Sequence, residues 1–344
     1  VDVKKISTVP SQSGSLTYTG SALSPAWQNF DAAALTVGGV TSATDAGTYT
    51  ATVTPNRGYA WEDGSTGAKN VTWTIGRAVI SSVPSQSGTL SYTGSVLTPT
   101  WSNYDSSKMT IGGTTSATDA GTYTATFTPK PNYQWSGGST AAKSVTWTIS
   151  AAGLSAPYQK GSLAYTGSSQ SPAWYNYDSG KMTLGGTYSG TNAGSYTATF
   201  TPKSGYQWSD GTTTAKSVTW TIAKAEISVP SQKGSLTYSG SSQSPSWNNY
   251  DSGKMTIGGT TSGTNAGSYS ASFTPKPNYQ WSGGSTSAKS VTWSIGKAAG
   301  SLSLNKSSLT LNVSSLTGTI SVTRSGSGTI SATSSKTSVA TVSV

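Results

Sequence analysis

The sequence predicts an all-β chain of four tandem modules and a shorter fifth unit, and three observations carry that prediction. All twelve tryptophans fall into three families of four: Trp27, Trp101, Trp174 and Trp247; Trp61, Trp135, Trp208 and Trp281; Trp73, Trp147, Trp220 and Trp293. Within each family the step is 74, 73 and 73 residues, and Tyr18, Tyr92, Tyr165 and Tyr238 keep it too. A fixed period of this kind marks a repeated structural unit. Polar and apolar residues also alternate with period two in stretches rich in threonine, valine and aromatics, the pattern of half-buried antiparallel strands. No amphipathic helical stretch of ten residues interrupts them.

The elements follow in order within each module. Leu16 and Tyr18 alternate near the start, and Gly-Gly pairs at 38–39, 112–113, 185–186 and 258–259 are expected to mark turns. In Thr48–Thr54, Tyr49, Ala51 and Val53 share one face and threonines the other; the counterparts run through Phe127, Phe200 and Phe273. Asp-Gly or Gly-Gly after the Trp61 family predicts a further turn, and Val71, Trp73 and Ile75 alternate in the closing strand. The repeats divide the chain as 1–78, 79–152, 153–225 and 226–298, with 299–344 remaining. Joints such as Gly76-Arg77-Ala78 are too short for neighbours to fold back on one another. The expected arrangement is therefore an elongated beads-on-a-string rod of very roughly 120–160 Å.

Segment 299–344 breaks the register. Ser301–Leu304, Ser308–Leu311, Gly318–Arg324, Gly328–Thr333 and Val339–Val344 are short alternating runs, expected to be strands. About 45 residues make a small core without staples, and the last run has no closing turn. Truncation is the expected reason, with completion by a partner's strand as the alternative. At the other end, Val1-Asp2-Val3-Lys4-Lys5 reads as an internal start, with neither Met nor a signal-peptide pattern.

Composition narrows the chemistry. Only 9% of the 344 residues are charged, against about 25% in an ordinary soluble domain, so the surface is polar without being ionic. Twelve Trp and eighteen Tyr are too many for a disordered polar tract. Absence of Cys excludes disulfides and thiolate chemistry, and absence of His removes the commonest general base and metal ligand. Nine Asp and two Glu remain, and Glu62 and Glu226 do not repeat. No enzyme activity, cofactor or metal site is expected. No apolar stretch approaches the ~20 residues of a membrane span.

Asp45-Ala46-Gly47-Thr48-Tyr49-Thr50-Ala51, and its counterparts from Asp119, Asn192 and Asn265, resemble the D-x-G-x-Y-x-C run of immunoglobulin domains. The resemblance implies a tyrosine corner involving Asp45, Tyr49, Asp119, Tyr123, Tyr196 and Tyr269. Alanine stands where that family has its bridging Cys, so aromatics of the Trp27 and Tyr18 families are expected to fill the space between sheets. Taken whole, the module resembles a bacterial immunoglobulin-like repeat through G-S-L-x-Y-[ST]-G, W-x-N-Y-D, D/N-A-G-[TS]-Y, and Y-x-W followed by K-[SN]-V-T-W. Segment 299–344 is similar to the first half of a group-2 bacterial Ig-like domain, through Leu302–Lys306 and Ser338–Val342. The resemblance implies tandem Ig-like β-sandwiches and an extracellular setting, either a bacterial cell surface or a tailed-phage virion.

Two clusters are glycan-binding candidates because sugar rings stack on exposed aromatics while Asn and Asp bond hydroxyls: Trp101, Asn103, Tyr104 and Asp105, and the loop pair Tyr133 and Trp135. The structural reading of the first places Trp101 in the core, with Asn103 and Asp105 shaping a turn and Lys108 as local charge partner. That of the second pins a loop to the sandwich end. Lys143, Lys216 and Lys289 recur as isopeptide bonds would require, but the fourth module lacks a helper acid. Threonine ladders reflect ordinary β propensity rather than ice binding. The net charge of +10 favours anionic cell-surface glycans, while dispersed lysines argue against nucleic acid. The function expected is a non-catalytic stalk or fibre whose partners are other subunits or domains of a larger surface or virion assembly; an adhesin gripping glycans is the alternative.

Overall fold

A computed structural model describes residues 2–326 and 328–344 and contains strands but no helix among them. Among the described residues no helix is long and apolar enough to cross a membrane. The residues fall into two compact units, one of 1–156, 176–183 and 200–216, the other of 157–175, 184–199 and 217–344.

In the first unit, the first repeat begins with β1 (Lys4–Ile6), β2 (Ser11–Ser13), β3 (Leu16–Thr17) and β4 (Ala26–Gln28). It continues with β5 (Leu35–Gly39), β6 (Gly47–Pro55), β7 (Tyr59–Trp61) and β8 (Lys69–Gly76). The main sheet runs β3-β8-β6-β5, with β3 parallel to β8 and the other pairs antiparallel. Two short pairs complete it: β2 with β4, antiparallel, and β1 with β7, parallel. The second repeat, also in this unit, has the same eight strands from Ala78 to Ser150 and the same pairings. In the second unit, the strands from Ala225 to Gly296 repeat the arrangement. Residues 153–225 contribute to both units, and their strands have the lengths of their counterparts.

The core forms where alternation turns large side chains off the main sheet. In the first repeat Leu35, Ala51, Val53, Trp61, Val71, Trp73 and Ile75 are buried together. Trp73 is fully enclosed, its Nε1 donates to the Val40 carbonyl at 2.7 Å, and Tyr49 lies over it with ring centres 4.8 Å apart. Trp61 is buried from the opposite strand pair and donates to the Gly67 carbonyl at 2.8 Å. Each buried indole N–H therefore keeps a partner, without which its desolvation would cost about 1–3 kcal/mol. The Trp61 and Trp73 families fill the interior, whereas Trp27 and Tyr18 are half-buried at its margin. This corrects the expectation that the Trp27 and Tyr18 families do so. The difference is one of strand length: β8 has eight residues and holds its Trp centrally, while β4 has three and lies at the edge.

A second correction concerns the Gly-Gly pairs, which end β5 and its counterparts rather than forming turns. Gly38 pairs with Thr52 and Gly39 with Ala51. The second glycine adopts φ of 67–73° in all four repeats, a conformation costly for a residue with a Cβ. At Gly113 an added Cβ would lie 2.8 Å from the Thr124 carbonyl oxygen. The pairs after the Trp61 family do turn: Gly64 N–H donates to the Trp61 carbonyl at 2.8 Å.

The sheet is extended by a side chain that composition hides. Gln12 Oε1 accepts from Thr74 N–H at 2.8 Å, and its Nε2 donates to the Thr74 carbonyl at 3.0 Å. Both backbone groups of Thr74, next to the short β3 pairing, are thus satisfied by an amide acting as a strand. Gln86 with Thr148, Gln159 with Thr221, and Gln232 with Ser294 repeat the device.

Among the described residues of segment 299–344 one strand pair forms, Ser301–Leu304 with Val322–Ser325, antiparallel, besides an isolated bridge between Asn312 and Ser315. The expected strands at Ser308–Leu311, Gly328–Thr333 and Val339–Val344 are not formed among the described residues, and that at Gly318–Arg324 is reduced to its end. Alternation stabilises a strand only where another layer covers its apolar face, and here Leu302, Leu316 and Val339 are all more than half exposed.

Candidate functional site at the joints between repeats

The residues with the most unusual surroundings lie at the joints. In the first unit, the turn before Tyr133–Trp135 presents Asn132 to the tyrosine corner of the preceding repeat. That corner is built by Tyr49, whose hydroxyl donates to the Asp45 carbonyl at 2.7 Å. Asn132 Oδ1 accepts from Ala46 N–H at 2.9 Å, while its Nδ2 donates to Asp45 Oδ1 at 2.7 Å. Beside this clasp, the rings of Tyr18 and Tyr133 meet edge to face at 5.5 Å, and Arg77 Nη1 donates to the Pro131 carbonyl. An amide suits the position because it supplies one acceptor and one donor in a fixed plane.

The second unit contains the same clasp. Asn278 Oδ1 accepts from Ala193 N–H and its Nδ2 donates to Asn192 Oδ1, both at 3.0 Å. Tyr165 and Tyr279 meet edge to face at 5.4 Å. The corner recurs, with Tyr196 donating to the Asn192 carbonyl at 2.6 Å and Tyr269 to that of Asn265 at 2.7 Å. Asp and Asn are interchangeable here because only a side-chain oxygen is asked of them.

The remaining joint differs. In the first unit Tyr92 and Tyr206 form the same edge-to-face pair at 5.2 Å, but Gly205 stands where the others have Asn132 and Asn278. A Cβ at 205 would fall 2.4 Å from the Tyr92 ring. The corner hydroxyl remains, Tyr123 donating to the Asp119 carbonyl at 2.7 Å. This joint keeps the aromatic pair and has no amide clasp at 205. The signal was present in sequence, as Pro-Asn-Tyr at 131–133 and 277–279 against Ser-Gly-Tyr at 204–206, but nothing local distinguishes a clasp from an ordinary turn.

Asn132→Ala is expected to remove two hydrogen bonds, each worth about 0.5–1.5 kcal/mol, while leaving both repeats folded. Amide hydrogen exchange checks it: the Ala46 N–H should lose protection about tenfold or more, and Ala120, the counterpart at the joint with Gly205, should already exchange faster than Ala46. Unchanged Ala46 protection would show that the clasp carries no weight.

The sequence-derived candidates are placed differently. Trp101 is half-buried and meets the Phe127 ring edge to face with centres 4.9 Å apart, and Tyr104 is tilted against the same ring at 5.6 Å. Asn103 has φ of 62°, as do Asn29, Asn176 and Asn249 within a few degrees, so this Asn is the left-handed residue of a turn. Asp105 accepts from Ser107 N–H at 2.9 Å and from its hydroxyl at 2.5 Å, and pairs with Lys108 at 3.0 Å. Trp135 is 1% exposed and donates Nε1 to the Ala141 carbonyl at 2.9 Å. It has no open face for a sugar, because the Y-x-W strand lies against the core with Lys143 over its ring. Tyr133 belongs to the joint.

The Ser107 and Lys108 bonds hold the Asp105 carboxyl down to about 2, from an ordinary 3.8. A carboxyl lowered by folding stabilises above its unfolded value and loses that contribution as pH falls through the folded one. The turn at 105–108 should therefore be unchanged above about pH 4 and loosen between about 4 and 2. The Ser107 amide shift in an NMR titration checks this; a midpoint at 3.8 or above would contradict it.

No group of three or more acidic side chains that could hold a metal ion occurs among the described residues. The repeating lysines lie over tryptophans instead, Lys143, Lys216 and Lys289 being 5.2, 5.4 and 5.9 Å from the Trp135, Trp208 and Trp281 ring centres.

Strand order, the tyrosine corners and the sandwich cores define a protein of tandem Ig-like domains. The family model described as "Putative Ig domain" (He_PIG) matches residues 129–223. A search of the curated proteins finds no match. Among solved structures, the chain is similar to the N-terminal eight Ig domains of Down Syndrome Cell Adhesion Molecule isoform 1.30.30, at 10% identity and a TM-score of 0.18. That alignment covers 90% of this chain and 56% of the other, so this chain spans little over half its length. It is also similar to the human Desmocollin-1 ectodomain, at 9% identity and TM-score 0.14, covering 75% of this chain and 70% of that one. Protocadherin Gamma B2 extracellular cadherin domains 1–5 align at 9% identity and TM-score 0.15, covering 76% and 68%.

Proposed function

We propose that this chain is a non-catalytic structural stalk or fibre of tandem Ig-like modules, divided as 1–78, 79–152, 153–225, 226–298 and 299–344, in an extracellular bacterial-surface or phage-virion assembly. One observation supports it above others: the loop-to-corner clasp at Asn132 and again at Asn278. A joint with directed hydrogen bonds and an aromatic pair resists bending in a way that a bare linker does not. The carboxylates also favour a structural role, since Asp63, Asp105, Asp178, Asp210 and Asp251 are each paired with a lysine.

Pulling the full chain by its ends tests the mechanical reading. Four similar unfolding events are expected, each releasing roughly 20 nm or more at about 3.3–3.6 Å per residue. A single event would overturn it. Antibodies against the repeats should label intact cells or virions of the source; label confined to the cytoplasm would remove the extracellular setting. The adhesin reading through Trp101, Asn103, Tyr104, Asp105, Tyr133 and Trp135 has less support, because these side chains are engaged in turns, core and joint.

A further inference from the structure

We infer that the third repeat carries a carbohydrate-binding platform, formed by Tyr158, Tyr175 and Lys160, whose ligand is an acidic polysaccharide. The four repeats share one short antiparallel pair: 11–13 with 26–28, 85–87 with 100–102, 158–160 with 173–175, and 231–233 with 246–248. Opposite residues at one end of this pair are Ser11 and Gln28, Ser85 and Ser102, then Tyr158 and Tyr175, then Ser231 and Asn248. Three versions of the fold thus build identical strand lengths and register with non-aromatic polar residues. The two tyrosines are not what the strand pair requires.

Their geometry is that of an open aromatic surface. The rings stack with centres 4.9 Å apart and planes at 28°, and the residues remain 54% and 44% exposed. Lys160 Nζ sits 5.2 Å from the Tyr175 ring centre, and no carboxylate pairs with it among the described residues. A cross-strand aromatic pair adds about 0.2–1 kcal/mol to a sheet; the lysine position recurs as Lys233 in the fourth repeat, so what sets the third repeat apart is the exposed ring pair beside its lysine.

The chemistry selects the ligand. A pyranose presents a face of C–H groups that stacks on a phenol ring, and its hydroxyls exchange hydrogen bonds with the two tyrosine hydroxyls. A carboxylate on the sugar supplies the charge that Lys160 lacks, and 21 basic against 11 acidic residues draw a polyanion toward the chain. Nucleic acid also stacks on aromatics, but it needs a row of cations along its phosphates, and among the described residues Lys160 is the cation that lies over this ring pair.

Affinity electrophoresis of the full chain through gels containing polygalacturonate, hyaluronate or alginate, with dextran as the neutral control, tests the site. Retardation by at least one acidic polymer beyond that by dextran is expected. The Tyr158→Ser, Tyr175→Ser double variant carries the residues of the second repeat at these positions, and should fold normally by circular dichroism while binding at least tenfold more weakly. Lys160→Ser, again the second repeat's residue, should keep stacking but lose the preference for acidic over neutral polymer. No retardation by any of the three polymers, equal binding by the double variant, or stronger binding of a single-stranded oligonucleotide would each overturn the proposal.

Discussion

Trp147→Ala is expected to unfold the second repeat, at a cost of about 3–5 kcal/mol for emptying a buried Trp site. Trp147 is 1% exposed, lies under Tyr123 at 4.8 Å, and donates Nε1 to the Thr114 carbonyl at 2.7 Å. Removing it opens a cavity among Phe127, Ala125 and Ile149 and leaves that carbonyl without its partner. A module of about 70 residues holds only a few kcal/mol in total, so the loss is comparable to its whole stability. Urea unfolding should show a separate early transition carrying about a quarter of the far-ultraviolet signal, with the other repeats melting as in the parent. Trp101→Ala, at the half-buried edge, should shift that transition by less. A variant whose unfolding superimposes on the parent's would contradict the assignment of Trp147 as the centre of the core.

Gly263→Ala is expected to destabilise the fourth repeat by about 1–3 kcal/mol, the usual range for overpacking a closed site. A Cβ there would stand 2.4 Å from Tyr269 Cζ. The tyrosine has taken the space: its ring centre is 4.5 Å from that of Trp293, with planes at 22°. The third repeat is alike, with Gly190 and a Tyr196–Trp220 separation of 4.6 Å at 21°. The first and second repeats have Ala43 and Ala117 at the same bridge, and their Tyr–Trp pairs stand at 4.8 Å and 31–32°. The residue across the bridge changes too, from Leu23 and Leu97 to Gln170 and Gln243. Gln243 Oε1 is buried with no hydrogen-bond partner. Gln243→Leu combined with Gly263→Ala therefore recreates the second repeat's solution, and the double variant should recover stability, with a coupling of about 0.5–3 kcal/mol. Denaturation midpoints of the two single variants and the double complete the cycle; strictly additive effects would show that bridge and corner are not packed as one unit.

The repeat register and strand character were legible from sequence because a Trp every 73 or 74 residues and period-two alternation are properties of the chain alone. The tyrosine corner was legible through Asp-Ala-Gly-Thr-Tyr, since its hydrogen bond closes over four residues. Which tryptophans form the interior was not, because Trp27 and Trp73 both sit in alternating runs and differ only in how many strands flank them. The burial of Trp135 was hidden for the same reason: a loop-like Y-x-W becomes core only once Ala78–Ile80 pairs beside it.

Local pattern thus decided that this chain is all-β, repeated four times, and poor in the groups that catalysis needs. It could not decide the partners of Gln12, 62 residues from Thr74, or of Asn132, 87 residues from Asp45. Those bonds depend on where separate strands end in space, and a single amide on the surface of a polar chain carries no mark of the carbonyl it will meet. Nor could it weigh Tyr158 and Tyr175, which are 17 residues apart in sequence and become one surface only through cross-strand register. Short-range alternation encodes which face of a strand is apolar; the choice of neighbour is made by packing.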